Sequence, residues 1–279
     1  MNVETNLNAG ALEARVCPSC GSDHADTRHT SGQWRIVACR DCGFVYLPVA
    51  ARTDYFTQGD GAWESSIREK RARNMKETPI AARLSMATRF RTKFCKRTPV
   101  DYIVAGHDGD NKGKRAVLDI GCGAGDYLAS LDSRFTPYGI ELSKGLAAMA
   151  RELFEKRGGR VVQAATVEAL PQFEPGSIDA VVMRSYLEHE PRAREVLEGV
   201  RDVLRTGGVA VIKVPNYASL NRRIMGERWC GFRFPEHVNY FTPDSLRKMA
   251  ASAGLSFEQG LMDRLPTSDN MWAVLRKAL

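Results

Sequence analysis

The segment Val117-Leu-Asp-Ile-Gly121-Cys-Gly123-Ala-Gly125-Asp constrains the fold more than any other. An apolar, strand-like run ends in glycines at every second position and then enters a helical stretch. Glycine lets the backbone approach a ligand closely, and a helix N-terminus offers free N–H groups to an anionic group. A second strand-like run, Pro137-Tyr-Gly-Ile140, ends at Glu141, 20 positions beyond Gly121. That spacing lets a carboxylate at the next strand end reach two ribose hydroxyls. A nucleotide-type ligand follows from the spacing; its identity does not. A dinucleotide fingerprint requires glycine or alanine where this chain has Asp126.

From residue 116 onward, strand and helix signals alternate. Strands are predicted at 116–120, 136–140, 160–164, 178–183 and 208–214, with helices at 143–157 and 191–205. Such alternation implies a mostly parallel sheet covered on both faces. Residues 215–241 break the pattern. Thr242-Pro243-Asp244-Ser245 then reads as an N-cap followed by proline at the first helical position. The helix should run to about Ala253, with final strands at 255–262 and 270–276.

Ahead of this region stand Cys17-Pro-Ser-Cys20-Gly and Cys39-Arg-Asp-Cys42-Gly. Two such knuckles supply four thiolates in a tetrahedron, which suits Zn²⁺. Cys17, Cys20, Cys39 and Cys42 leave no open coordination position, so the metal would be structural. Residues 17–47 are too few to build much apolar core, and a metal would supply the missing folding energy. The alternative is a disulfide framework, which a reducing compartment disfavours. His24 and His29 read as solvated loop residues, and Cys95, Cys122 and Cys230 stand apart.

No signal-peptide pattern is visible in residues 1–16, and no apolar run is long enough to span a bilayer. A cytoplasmic location is expected. The net charge of +7 is local: residues 64–101 hold 11 of the 40 Lys/Arg and 4 of the 33 Asp/Glu, leaving 29 of each sign elsewhere. Two basic helical stretches in 63–104, broken near Pro79, carry it. They would bind phosphate, carboxylate or nucleic acid, or present a solvated face, which is the plainer reading. The chain thus divides into a flexible leader (1–16), a zinc ribbon (17–47), a linker with a basic helical cap (48–115) and a ligand-binding domain (116–279).

Val117-Leu-Asp-Ile-Gly-Cys-Gly-Ala-Gly-Asp-Tyr-Leu128 resembles the S-adenosylmethionine (SAM) motif of class I methyltransferases. The resemblance spans roughly 116–276. It includes Gly176-Ser-Ile-Asp179, Leu187-Glu-His189, Leu204-Arg-Thr-Gly-Gly208, Pro215-Asn216, Gly226-Glu-Arg-Trp229 and Pro235-Glu-His237-Val-Asn-Tyr240. The later segments resemble a bacterial subgroup with an N-terminal cysteine ribbon; ubiquinone-type O-methyltransferases look more distant. The resemblance implies an α/β, doubly wound Rossmann-like sheet of seven strands, the last antiparallel, with the ribbon and cap in front. It implies SAM as cofactor. Gly121 and Gly123 would pass under its methionine part, Cys122 and Gly125 would join them in binding it, and Asp119 would hold its amino group. Glu141, with Leu142 beside it, would bind the ribose. Thr166 and Val167 would meet the adenine, and Arg184 would lie near the methionine end.

Methyl transfer from a sulfonium depends mainly on positioning, and a hydroxyl acceptor gains from a base. His237 is the first candidate, in the loop between the fifth strand and the next helix. His189, on the carboxyl-end rim, is the second. Tyr240, with Tyr186 and Trp229, would line the acceptor pocket. A structural role for either histidine is about as well supported. Three functions fit. The leading one is methylation of a small-molecule acceptor at O or N, on a sugar-linked, phenolic or anionic metabolite. The second is methylation of RNA through ribbon and basic cap; the third is a non-catalytic SAM-binding module. Oligomeric state is left open.

Overall fold

The computed structural model describes residues 12–52 and 115–278. The basic helical stretches lie outside the described residues. Five strands form the N-terminal part: β1 (Leu12–Ala14), β2 (Ala25–Ser31), β3 (Trp34–Cys39), β4 (Val45–Tyr46) and β5 (Val49–Ala51). The C-terminal part begins with β6 (Arg115–Ile120), α1 (Asp126–Ala129), β7 (Phe135–Ile140), α2 (Lys144–Glu155), β8 (Arg160–Val162) and α3 (Thr166–Ala169). It continues through β9 (Ile178–Arg184), α4 (Ala193–Val203), β10 (Leu204–Pro215), α5 (Leu220–Met225) and β11 (Asn239–Tyr240). It closes with α6 (Pro243–Ser252), β12 (Leu255–Glu258) and β13 (Asn270–Lys277).

The main sheet has seven strands in the order β12-β13-β10-β9-β6-β7-β8. The pairs β6–β7, β7–β8, β6–β9 and β9–β10 are parallel, and β13 runs antiparallel to both its neighbours. The expected doubly wound sheet with a reversed last strand is therefore present. Its central strands are apolar on both faces, as a sheet covered on both sides requires. Leu118, Val181, Met183 and Ile212 feed the larger core, while Val117, Ala180, Val182 and Val211 feed the smaller one against α2.

Local chemistry sets the element ends. Ser143 accepts a hydrogen bond from Leu146 N and starts α2. Thr242 caps α6 with Pro243 at its first turn, as the sequence predicts, and Ser245 returns a bond to complete a reciprocal cap. β10 starts at Leu204, four residues before the expected strand, and its pairing with β9 shifts between Leu204 and Val209. The Gly207-Gly208 pair lies within this irregularity.

The cysteine-bearing part departs from a separate module. β4 pairs with β3 on one side and with β11 on the other, so Asn239–Tyr240 complete a four-stranded sheet with β2, β3 and β4. Residues 12–14, read from sequence as part of the leader, pair instead with 49–51, read as linker. A three-residue strand carries too little pattern to separate it from loop. His29, expected as a solvated loop residue, sits on β2 with its ring stacked 4.8 Å from Phe232. The ribbon and the 229–241 segment thus share both a sheet and an aromatic cluster.

Candidate functional site

The glycine loop leaves the end of β6 with Gly121, Gly123 and Gly125 at φ 71°, 57° and 86°. At two of these, space as well as φ demands glycine. A Cβ on Gly125 would lie 2.9 Å from Phe154 and 3.0 Å from the Ala150 backbone on α2; a Cβ on Gly121 would lie 2.8 Å from Tyr186. The Glu141 carboxylate ties the loop to the next strand. Oε2 accepts from Gly123 N at 2.8 Å and Oε1 from Ser143 N at 2.9 Å. Each oxygen retains acceptor capacity for a hydroxyl.

Asp119 is the last residue but one of β6 and is 2% exposed. Burial pushes its carboxyl up to about 7, with Glu141 adding to the rise and Arg184 opposing it. Arg184 ends β9, and its guanidinium lies 3.6 Å above the Tyr127 ring. Asp119, Gly121, Gly123, Glu141 and Arg184 therefore gather at the carboxyl ends of β6, β7 and β9. Leu142 follows Glu141 half-buried. Cys122 contributes only backbone: its buried side chain belongs to the core on the α2 face, and burial raises its thiol well above the ordinary value.

On the opposite side of the loop, the Tyr186 hydroxyl bridges Thr166 Oγ1, at 2.7 Å, and the Glu190 carboxylate. Thr166 is buried with its hydroxyl engaged, and Val167 packs against the core.

A second hollow, of about 190 Å³, opens beside the β9 end. Ser185, Glu188, His189, Lys213, Arg233 and His237 line it, with Asp269 among the remainder. Glu188 is 1% exposed and His237 4%. Burial raises the Glu188 carboxyl to about 7 against the opposing charges of Lys213 and Arg233. Burial lowers both imidazoles, His237 to about 3. His189 Nδ1 lies 2.9 Å from Glu236 O and His237 Nδ1 lies 2.8 Å from Gly231 O. A carbonyl only accepts, so each Nδ1 carries its proton and each Nε2 keeps a lone pair. The rings meet edge to face at 4.7 Å.

The two histidines singled out from sequence are thus neighbours on one cavity. Tyr240 is not with them. It is buried in the ribbon sheet opposite Val45, among Tyr217, Phe232 and Phe234, and its hydroxyl finds no hydrogen-bond partner. Trp229 also belongs to that cluster, with Nε1 donating to Asp269 at 2.8 Å. Sequence reasoning missed Glu188, Lys213 and Arg233. Glu188 adjoins His189 in the Leu-Glu-His run and was within reach; Lys213 and Arg233 come from a strand and a distant loop with no local signal.

The N-terminal cysteines form a second cluster. One sulfur from each of Cys17, Cys20, Cys39 and Cys42 lies within 4.8 Å of the others, and none forms a disulfide. Cys17–Cys42 and Cys20–Cys39 are each 3.5 Å apart. Four ligands at Zn–S bond length make a tetrahedron with edges of about 3.8 Å. Both knuckles close alike, with Gly21 N donating to Cys17 O and Gly43 N to Cys39 O. The donor set and its spacing fit a tetrahedral metal.

Fold and loop together define an α/β protein that binds a nucleotide-type ligand at the carboxyl edge of its sheet. The profile of a family described as a methyltransferase domain matches residues 87–259, and the chain belongs to that family. Among curated proteins it is 29% identical over 152 residues to a ubiquinone biosynthesis O-methyltransferase of Cupriavidus pinatubonensis, covering 50% of this chain and 60% of the relative. It is 33% identical over 107 residues to phosphoethanolamine N-methyltransferase 2 of Caenorhabditis elegans, covering 37% of this chain and 24% of the relative. The chain thus spans less than two thirds of these relatives' length. A crystal structure of a SAM-dependent methyltransferase from Clostridium acetobutylicum shares the fold, with TM-score 0.50 and 12% identity over 64% of this chain and 89% of that one. Among the described residues no helix is long and apolar enough to cross a membrane.

Proposed function

We propose that this protein is a SAM-dependent methyltransferase acting on a small-molecule acceptor, at O or N of a sugar-linked, phenolic or anionic metabolite. The observation that carries the reading is the adjacency of two sites on one sheet edge. The glycine loop with Asp119 and Glu141 suits an adenosyl amino acid, and the cavity beside it holds Glu188, His189 and His237. SAM supplies a methyl already activated on a sulfonium. Asp119 pairs with its ammonium and Glu141 accepts from its ribose hydroxyls. Lys213 and Arg233 favour an acceptor with negative charge. His237 is the first residue proposed to take the acceptor proton, and His189 the second.

The four cysteines hold a structural zinc that stiffens β3, β4 and, through their pairing, β11. A cytoplasmic location goes with this reading, since reduced cysteines persist there. Methylation of RNA is the second reading. It rests on the sequence of the basic stretch at 64–101, which lies outside the described residues. The test is a pair of substitutions. Glu141→Ala should weaken SAM binding. His237→Ala should lower turnover with SAM affinity preserved, and unchanged turnover would overturn its assignment as base.

A further inference from the structure

We infer that Glu188, His189 and His237 bind one divalent transition-metal ion facing the acceptor cavity. Among the described residues, only the four cysteines and this trio gather three or more groups able to hold a metal. Here one ligand atom from each residue lies within 4.8 Å of the others. Three features fit coordination better than a hydrogen-bonded cluster. First, the Ser185 hydroxyl and the Glu188 amide meet the Glu188 carboxyl, yet its Oε2 is fully buried with no hydrogen-bond partner, a costly state for that oxygen unless a proton or a cation completes it. Second, each imidazole is already held through Nδ1 by a backbone carbonyl, the outer contact that fixes ring orientation and presents Nε2 to a metal. Third, two imidazoles and one carboxylate occupy part of a coordination sphere and leave positions open. These open onto the hollow lined by Ser185, Lys213 and Arg233.

The set of two nitrogens and one oxygen suits Fe²⁺, Co²⁺ or Zn²⁺. It differs from the sulfur set of the ribbon, so the two sites select ions differently. The lining also balances: Lys213 and Arg233 face Glu188 and Asp269. A bound ion makes the cavity net positive and suited to an acceptor that brings oxygen ligands and negative charge. Its chemical role rests on the methyl-transfer reading. An acceptor hydroxyl binding at an open position loses its proton to water. Its oxygen lone pair forms the O–CH₃ bond as the S–CH₃ bond breaks, and the sulfonium leaves as a neutral thioether. With the ion bound, His237 is a ligand, and this replaces the role as base proposed for it above.

The test titrates Co²⁺ into full chain holding one equivalent of Zn²⁺, which the four-sulfur site takes first, and follows visible absorption, with SAM binding measured by calorimetry on the same samples. The expected result is one Co²⁺ per chain with d–d bands and no sulfur-to-metal charge transfer. Its affinity should fall at least about tenfold in Glu188→Gln and in His189→Ala, while both variants still bind SAM. No Co²⁺ beyond the cysteine site, or equal affinity in wild type and both variants, would overturn the metal site. Loss of SAM binding by the wild type would instead overturn the methyltransferase reading.

Discussion

Replacing Asn239 by alanine should cut the link between the cysteine-bearing sheet and the catalytic face. The side chain is 2% exposed and fully engaged. Its Oδ1 accepts from Arg15 Nη2 at 2.8 Å, and its Nδ2 donates to Leu187 O at 2.8 Å and to Glu190 O at 2.7 Å. Arg15 comes from the segment after β1, and Leu187–Glu190 is the turn that carries Glu188 and His189. Each neutral bond contributes about 1 kcal/mol and the charged one about 2, so the substitution should cost about 4 kcal/mol. For roughly two hundred described residues that corresponds to a fall in Tm of about 8–16 °C. Urea unfolding of wild type and variant measures it. Asn239→Asp is the sharper control: it aims a carboxylate at two carbonyls, so it should not rescue the loss despite Arg15. A cost below about 1 kcal/mol for the alanine variant, or recovery in the aspartate variant, would refute the coupling.

Other expectations follow from the same geometry. Gly125→Ala should destabilise the protein by about 2–5 kcal/mol, combining left-handed backbone strain with overpacking against Phe154 and Ala150; a loss within about 0.5 kcal/mol in thermal unfolding would contradict it. Asp119, raised from 3.8 to about 7, stabilises the ligand-free fold below pH 4 and loses that contribution as pH rises through 7. The pairing proposed between Asp119 and the SAM ammonium uses the carboxylate, so affinity should weaken about tenfold per unit well below pH 7 with one proton released; calorimetry in two buffers would detect its absence. Removing the ribbon metal with a chelator should abolish turnover before it abolishes SAM binding, because β11 depends on β4 while the glycine loop does not; simultaneous loss in a parallel titration would show otherwise.

The parts of this molecule written in local pattern were legible in its sequence. Glycines ending an apolar run, an acid at the next strand end and Thr242-Pro243 each act within a few residues, and each stands where expected. Asn239–Tyr240 was not legible as a strand of the ribbon sheet. Two residues carry no periodicity, and their partners on β4 lie nearly two hundred positions away. The same holds for the engagement of Thr166 by Tyr186, which joins the segments after β8 and β9, strands separated in the sheet by β6 and β7. Cys122 belonged to the binding motif by position, but side-chain direction along a turn is not encoded in spacing. Glu188 illustrates an intermediate case. The Leu-Glu-His run drew notice to its histidine, whereas the carboxylate's role appears only once His237 is seen packed beside it.

The most direct test of the central claim uses methyl-labelled SAM, the purified full chain and a dialysed cell extract supplemented with its metabolite fraction. Products would be separated by mass and by sensitivity to nuclease. Transfer to a small-molecule acceptor predicts low-mass, nuclease-resistant label that depends on Glu141 and His237. Label confined to nuclease-sensitive material, or SAM binding with no transfer to any fraction, would contradict it.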